Sequence, residues 1–151
     1  IDFYVTGHSL GGALAQIFAL DLILRKEHES KVYTFGSPKV GNAFFSKLYD
    51  EVLPSTFRLV FKKDAISNLP MMSGYVHSGV TVQLDHAGNI IIDPSLAEKF
   101  IVGSTTSLDN HFLGNYINAL FEAEKFYSEL YQREKMGVKS SSSLFKENSH
   151  I

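Results

Sequence analysis

The chain has 151 residues, 44% of them hydrophobic, a formal net charge of −2 and no cysteine. That is enough apolar material for one domain with a core, and it excludes disulfides, thiolate catalysis and cysteine-ligated zinc. The 14 basic residues are not gathered into the stripe that a nucleic-acid surface needs, and no run approaches the roughly 18 apolar residues of a membrane span.

The first predicted element is the apolar run Phe3-Tyr4-Val5, read as a strand. The chain opens at Ile1 rather than Met, inside what reads as a buried strand, so a preceding segment is expected. Any targeting signal would lie there, which leaves localisation open. The strand runs into Thr6-Gly7-His8-Ser9-Leu10-Gly11-Gly12-Ala13, and a small-residue helix pattern begins at once. Strand, sharp turn and helix with Gly-x-Ser-x-Gly across the turn is the nucleophile-elbow arrangement, which lifts a serine hydroxyl clear of the sheet in strained backbone geometry. Side chains at Gly7 or Gly11 are expected to crowd this turn, while His8 lies inside it. The N–H groups heading the helix point to where negative charge would develop. A chance match to the bare pattern in a chain of this length has odds of roughly one in twenty, so the flanking elements carry the argument. The competing reading is a serine that only caps the helix.

Leu10, Leu14, Ile17 and Leu24 recur near helical spacing, with Ala13, Ala15 and Ala19 permitting close approach to a sheet. The pattern turns charged at Arg25-Lys26-Glu27-His28-Glu29. Lys31 to Phe35 reads as a strand closed by Gly36-Ser37-Pro38, followed by a helix from about Gly41 to Leu53 stopped by Pro54, and by a strand from Thr56 to Phe61. Strands alternating with helices over short connections predict parallel βαβ units, with ligands gathered at the carboxyl ends of the strands. Ser9 stands at one such end and Lys62-Lys63-Asp64 at another. Further on, Val80 to Leu84 and Ile90-Ile91-Ile92 flank the turn Asp85-His86-Ala87-Gly88-Asn89 as a hairpin. Residues 94–106 read as irregular or briefly helical. From His111 a long helix carries Phe112, Tyr116, Leu120, Ala123, Tyr127 and Leu130, and the serine run at 140–143 reads as disorder. Residues 1–135 thus form one domain and 136–151 a disordered tail.

A nucleophilic serine needs a histidine to take its proton and a carboxylate to orient that histidine; after a nucleophile elbow the chain order is Ser, then Asp or Glu, then His. Of six histidines, His28 and His150 lie in a charged helix end and the tail. His86 sits in a hairpin turn facing away from the strand ends. His77, spaced one residue from Tyr75 ahead of a strand, suits a hydrogen-bonded structural role. His111 follows the loop Ser104 to Asn110 and is taken as the base, its alternative being an ordinary residue at a helix start. Asp64 directly follows a strand on the edge that carries Ser9 and is taken as the acid. No histidine pair has helical i, i+4 ligand spacing, so no metal site is expected.

Five ordered segments carry a family resemblance: Val5 to Ala15, Tyr33 to Asn42, Phe57 to Asp64 with Ile66 and Leu69-Pro70 beyond, Gly74 to Gly79, and His111 to Tyr116. Over about residues 1–120 the chain resembles the class 3 lipases, the fungal triacylglycerol-lipase-like branch of the α/β-hydrolases. The resemblance implies the C-terminal half of an α/β-hydrolase fold, a mostly parallel sheet flanked by helices with a late β-hairpin and a C-terminal helix. It implies Ser9 as nucleophile, Asp64 as acid, His111 as base and the Leu10 backbone N–H as one oxyanion donor. The substrate it implies is a lipid ester met at a lipid–water interface, with no cofactor. Two positions depart from the family: Lys63 stands where Asn is usual, and Ile66-Ser67 where Val-Pro is common. The family's second oxyanion donor, lid and much of its acyl-binding wall lie upstream of the elbow. The alternative function is a non-catalytic, lipase-like binding scaffold, which would have no chemical reason to keep Ser9, Asp64 and His111 together.

Overall fold

The structure is a computed structural model that describes residues 3–25, 28–95, 98 and 105–136. Its centre is a five-stranded sheet of β1 (Phe3–His8), β2 (Ser30–Phe35), β4 (Thr56–Phe61), β6 (Val80–Leu84) and β7 (Ile90–Ile92), in that spatial order. The first four run parallel, and β7 returns antiparallel to β6 with Leu84 opposite Ile90, the expected hairpin. Helix α1 (Leu10–Leu24) joins β1 to β2, and α2 (Ala43–Val52) leads into β4. A small antiparallel pair, β3 (Gly41–Asn42) with β5 (Tyr75–Val76), flanks α2. Helix α3 (Leu113–Lys135) ends the described chain.

Alternation along the strands sorts the core to both sheet faces. On one face, Ala19 of α1, Val32 of β2 and Tyr49 and Leu53 from the α2 region pack together. On the other, Leu59, Phe61 and Leu84 meet Tyr116 and Ala119 of α3. Sheets covered on both faces are the rule for parallel strands joined by helical crossovers.

The register sets up the site. His8 lies opposite Phe35 and Phe35 opposite Leu59, so the carboxyl ends of β1, β2 and β4 share one rim. Several expected boundaries shift. The second helix starts at Ala43 rather than Gly41, because Asn42 accepts the Phe45 N–H at 3.0 Å and caps it. The last helix starts at Leu113; His111 closes a short 3₁₀ turn, Asp109–His111, and Phe112 is extended. Most of the expected irregular stretch at 94–106, and the expected tail beyond Met136, lie outside the described residues.

Helix α1 is built the other way round from an ordinary amphipathic helix. Gly12, Ala13, Ala15, Ala19 and Leu22 are buried, whereas Leu10, Leu14, Ile17 and Phe18 are each at least half exposed. Small residues let the helix axis come close to β1 and β2, and the bulkier apolar side chains face away from the sheet.

Candidate active site

Ser9 sits between β1 and α1 with φ 57° and ψ −131°, a backbone conformation that is strained for a residue bearing a Cβ. Its N–H donates to the Phe35 carbonyl at 2.9 Å, continuing the sheet ladder through the turn. The side chain makes no capping bond to the helix, which removes the capping-serine reading. The turn is as tight as expected at Gly7, where a Cβ would collide with the backbone of Gly11 and Gly12. The expectation for Gly11 is overturned: a Cβ there would enter open space. The crowded position is Gly12 instead, whose Cβ would lie 2.7 Å from that of Ser37.

Three distant side chains meet at the rim. The Ser9 hydroxyl stands 2.7 Å from His111 Nε2, and His111 Nδ1–H donates to Asp64 Oδ2 at 2.8 Å. Asp64 is fully buried and its acceptors are occupied: Oδ2 also takes the Tyr116 hydroxyl at 2.6 Å, and Oδ1 takes the Ile66 N–H at 2.8 Å. Its backbone carbonyl accepts the Ser67 hydroxyl at 2.8 Å, which folds the following 3₁₀ turn, Ile66–Asn68, back onto it. An ionised carboxylate accepts only, so the proton between Asp64 and His111 belongs to Nδ1, leaving Nε2 free to accept from Ser9.

The loop carrying His111 is fastened by backbone. Ser107 forms an isolated parallel bridge with Asp64: its N–H donates to the Lys63 carbonyl and its carbonyl accepts the Ala65 N–H, each at 3.2 Å. The tether uses the Lys63 main chain, so the unusual side chain at this position leaves it intact. The His8 ring lies tilted by 30° against that of His111, at 4.6 Å between centroids, and donates from Nε2 to the His111 carbonyl at 2.8 Å.

Tyr116 and Gly36 contribute to the site although nothing local in the sequence singles them out, and His8, expected only as a residue of the elbow, also holds the His111 loop. The sequence places Tyr116 on the apolar face of the last helix, although a buried tyrosine needs an acceptor for its hydroxyl, which is the available signal. Burial, and then donation to Asp64, push its phenol pKa far above the ordinary value, so it remains a donor. Gly36 has φ 57°, and a Cβ there would meet Asp64 Oδ2 at 2.5 Å, the Tyr116 hydroxyl at 2.8 Å and His111 Nδ1 at 3.0 Å. Two other histidines among the described residues stand apart: His86 is exposed in the hairpin turn against Phe61, and the His77 carbonyl accepts from Ser46 at 2.8 Å. Leu10 is the first residue of α1, so its N–H has no helical acceptor behind it and is available beside Ser9.

A serine on a strained turn, a histidine aligned to take its proton and a buried carboxylate holding that histidine on the C-terminal rim of a parallel sheet define an α/β-hydrolase arrangement. The comparisons with known proteins agree. The family described as lipase (class 3) matches residues 1–74. A secreted mono- and diacylglycerol lipase A of Penicillium cyclopium is 33% identical over 127 residues, 83% of this chain and 41% of that protein. The lipase ZK262.3 of Caenorhabditis elegans is 50% identical over 72 residues, 46% of this chain and 20% of that protein. A crystal structure of a lipase from Rhizopus microsporus var. chinensis superposes with a TM-score of 0.63 at 32% identity, covering 72% of this chain and 41% of that one. The chain belongs to the class 3 lipase family, and it spans less than half the length of these relatives.

Proposed function

We propose that the protein is a serine carboxylic-ester hydrolase acting on acylglycerols or related lipid esters, with Ser9 as nucleophile, His111 as base and Asp64 as the orienting acid. The observation that carries this reading is the unbroken line of hydrogen bonds from Ser9 Oγ through both nitrogens of His111 to Asp64 Oδ2. His111 Nε2 takes the Ser9 proton as Oγ bonds to the ester carbonyl carbon, and the resulting oxyanion faces the Leu10 N–H. Collapse breaks the bond to the leaving alkoxide, which takes the proton from Nε2. Water then repeats the sequence on the acyl-enzyme, with the proton passing through His111 again. Asp64 stays ionised throughout and stabilises the imidazolium that forms twice per cycle. Names of the relatives support acylglycerols as the substrate class. The apolar, largely exposed neighbours of the site, Leu10 after Ser9 and Phe112 after His111, suit a lipid substrate presented at an interface.

The test is Ser9→Ala in the intact protein. Hydrolysis of a diacylglycerol emulsion and covalent capture by a serine-reactive phosphonate should both be lost. Turnover that survives the substitution overturns the assignment of Ser9, and a wild-type protein that neither hydrolyses esters nor reacts with the phosphonate is a scaffold.

A further inference from the structure

On the sheet face opposite α3, the seam between β4 and β6 opens into a cavity of about 250 Å³. Arg58 and Thr81 form part of its floor, in register with each other, and Lys63, Asn68 and His77 are among the residues of its wall. Arg58 is only 6% exposed. One of its terminal nitrogens, Nη2, donates to the Thr81 hydroxyl at 2.7 Å, yet its Nε–H is buried with no acceptor among the described residues. No carboxylate lines the cavity among the described residues. Asp93 acts on Arg58 through space, but it is held by the Thr81 N–H at 2.7 Å and makes no ion pair with the guanidinium.

A buried guanidinium whose only side-chain partner among the described residues is a neutral hydroxyl is electrostatically incomplete. Desolvating a cation is costly unless an anion compensates it, and an orphaned N–H adds to the cost. The flat guanidinium presents donors in a fork suited to an oxyanion. Thr81, having accepted from Nη2, keeps its own hydroxyl proton to donate. We propose that this cavity binds a small oxyanion, a phosphate or a carboxylate, anchored by Arg58 Nε–H and the Thr81 hydroxyl. Occupancy would brace the β4–β6 seam, and β4 is the strand whose end carries Asp64.

The experiment is thermal unfolding of the intact protein with inorganic phosphate, with acetate and with chloride at matched ionic strength. Three forms are compared: wild type, Arg58→Met and Thr81→Glu. In the wild type, phosphate or acetate should raise Tm saturably, by roughly 5–10 °C at a hundredfold excess over Kd, and chloride should not. Which of the two acts separates a phosphate site from a carboxylate site. Arg58→Met should show no response. Thr81→Glu places a carboxylate of the chain itself in the cavity, so its Tm should start higher and no longer respond; this variant decides if Arg58→Met does not fold. General salt exclusion does not saturate and acts on all three forms alike. A wild-type response no larger than that to chloride, or one retained in Thr81→Glu, overturns the proposal.

Discussion

Asp64 Oδ2 receives two donors at once, the His111 Nδ1–H and the Tyr116 hydroxyl, and the balance between them is a residue-scale property of the site. The tyrosine neutralises part of the penalty for a fully buried carboxylate and pins the oxygen that orients the imidazole. A hydrogen bond to a charged group contributes about 1.5–3 kcal/mol. Tyr116→Phe keeps the ring packing against Phe35 and Phe61 and removes only that bond. It should lower kcat by roughly tenfold with KM little changed, and lower Tm by several degrees, since a 1.4 kcal/mol loss is a factor of ten in rate. Equal kcat in mutant and wild type, measured on a soluble short-chain ester, would remove Tyr116 from any positioning role.

At the scale of the element, the turn between β1 and α1 separates two glycines that look equivalent in the motif. Gly7→Ala drives a methyl into the backbone of the helix start, and overpacking of this kind costs about 1–3 kcal/mol or more, with the strand and helix forced apart at Ser9. Gly11→Ala meets no atom and replaces a poor helix former, which should be neutral or stabilise by up to about 1 kcal/mol. Parallel denaturant titrations and phosphonate-labelling rates of the two variants check this. The expected outcome is a destabilised, slowly labelled Gly7→Ala and a stable, reactive Gly11→Ala. The same helix illustrates how context overrides pattern. Its glycine and alanine face is the buried one because the crossover brings α1 close to β1 and β2, and the larger Leu10, Leu14 and Ile17 are left outside.

For the molecule as a whole, the consequence is a broad apolar flank. β1 is an edge strand of the described sheet, Phe3 and Tyr4 are exposed, and Leu14, Ile17 and Phe18 of α1 are at least half exposed. An open edge beside an exposed apolar helix face is a template for association. The 151-residue chain is expected to self-associate, and to hydrolyse esters at least 10²-fold more slowly than a lipase holding two oxyanion donors if it supplies the Leu10 N–H alone. Light scattering at increasing concentration, run beside an ester assay, is the measurement. A monodisperse monomer with full activity would contradict both expectations. No helix among the described residues is long and apolar enough to cross a membrane.

What the sequence determined by itself is local and periodic. The elbow was legible because a strand, a glycine-flanked serine and a helix must follow one another within a dozen residues. The alternation of strands and helices set the parallel sheet, and the turn after Leu84 set the hairpin. Asp64 and His111 were readable as candidates from chain order and strand ends, and the structure brings both to Ser9. Tyr116 and Gly36 were not readable as parts of the site, because each is defined by what it touches across the fold: a phenol five residues past His111 and a missing Cβ at the end of β2 meet only after α3 docks on β4. The Arg58 cavity belongs to the same class, since a buried guanidinium with no carboxylate beside it among the described residues has no signature in a run of strand residues. Burial and convergence are sums over the whole chain, and only the packed structure carries them out.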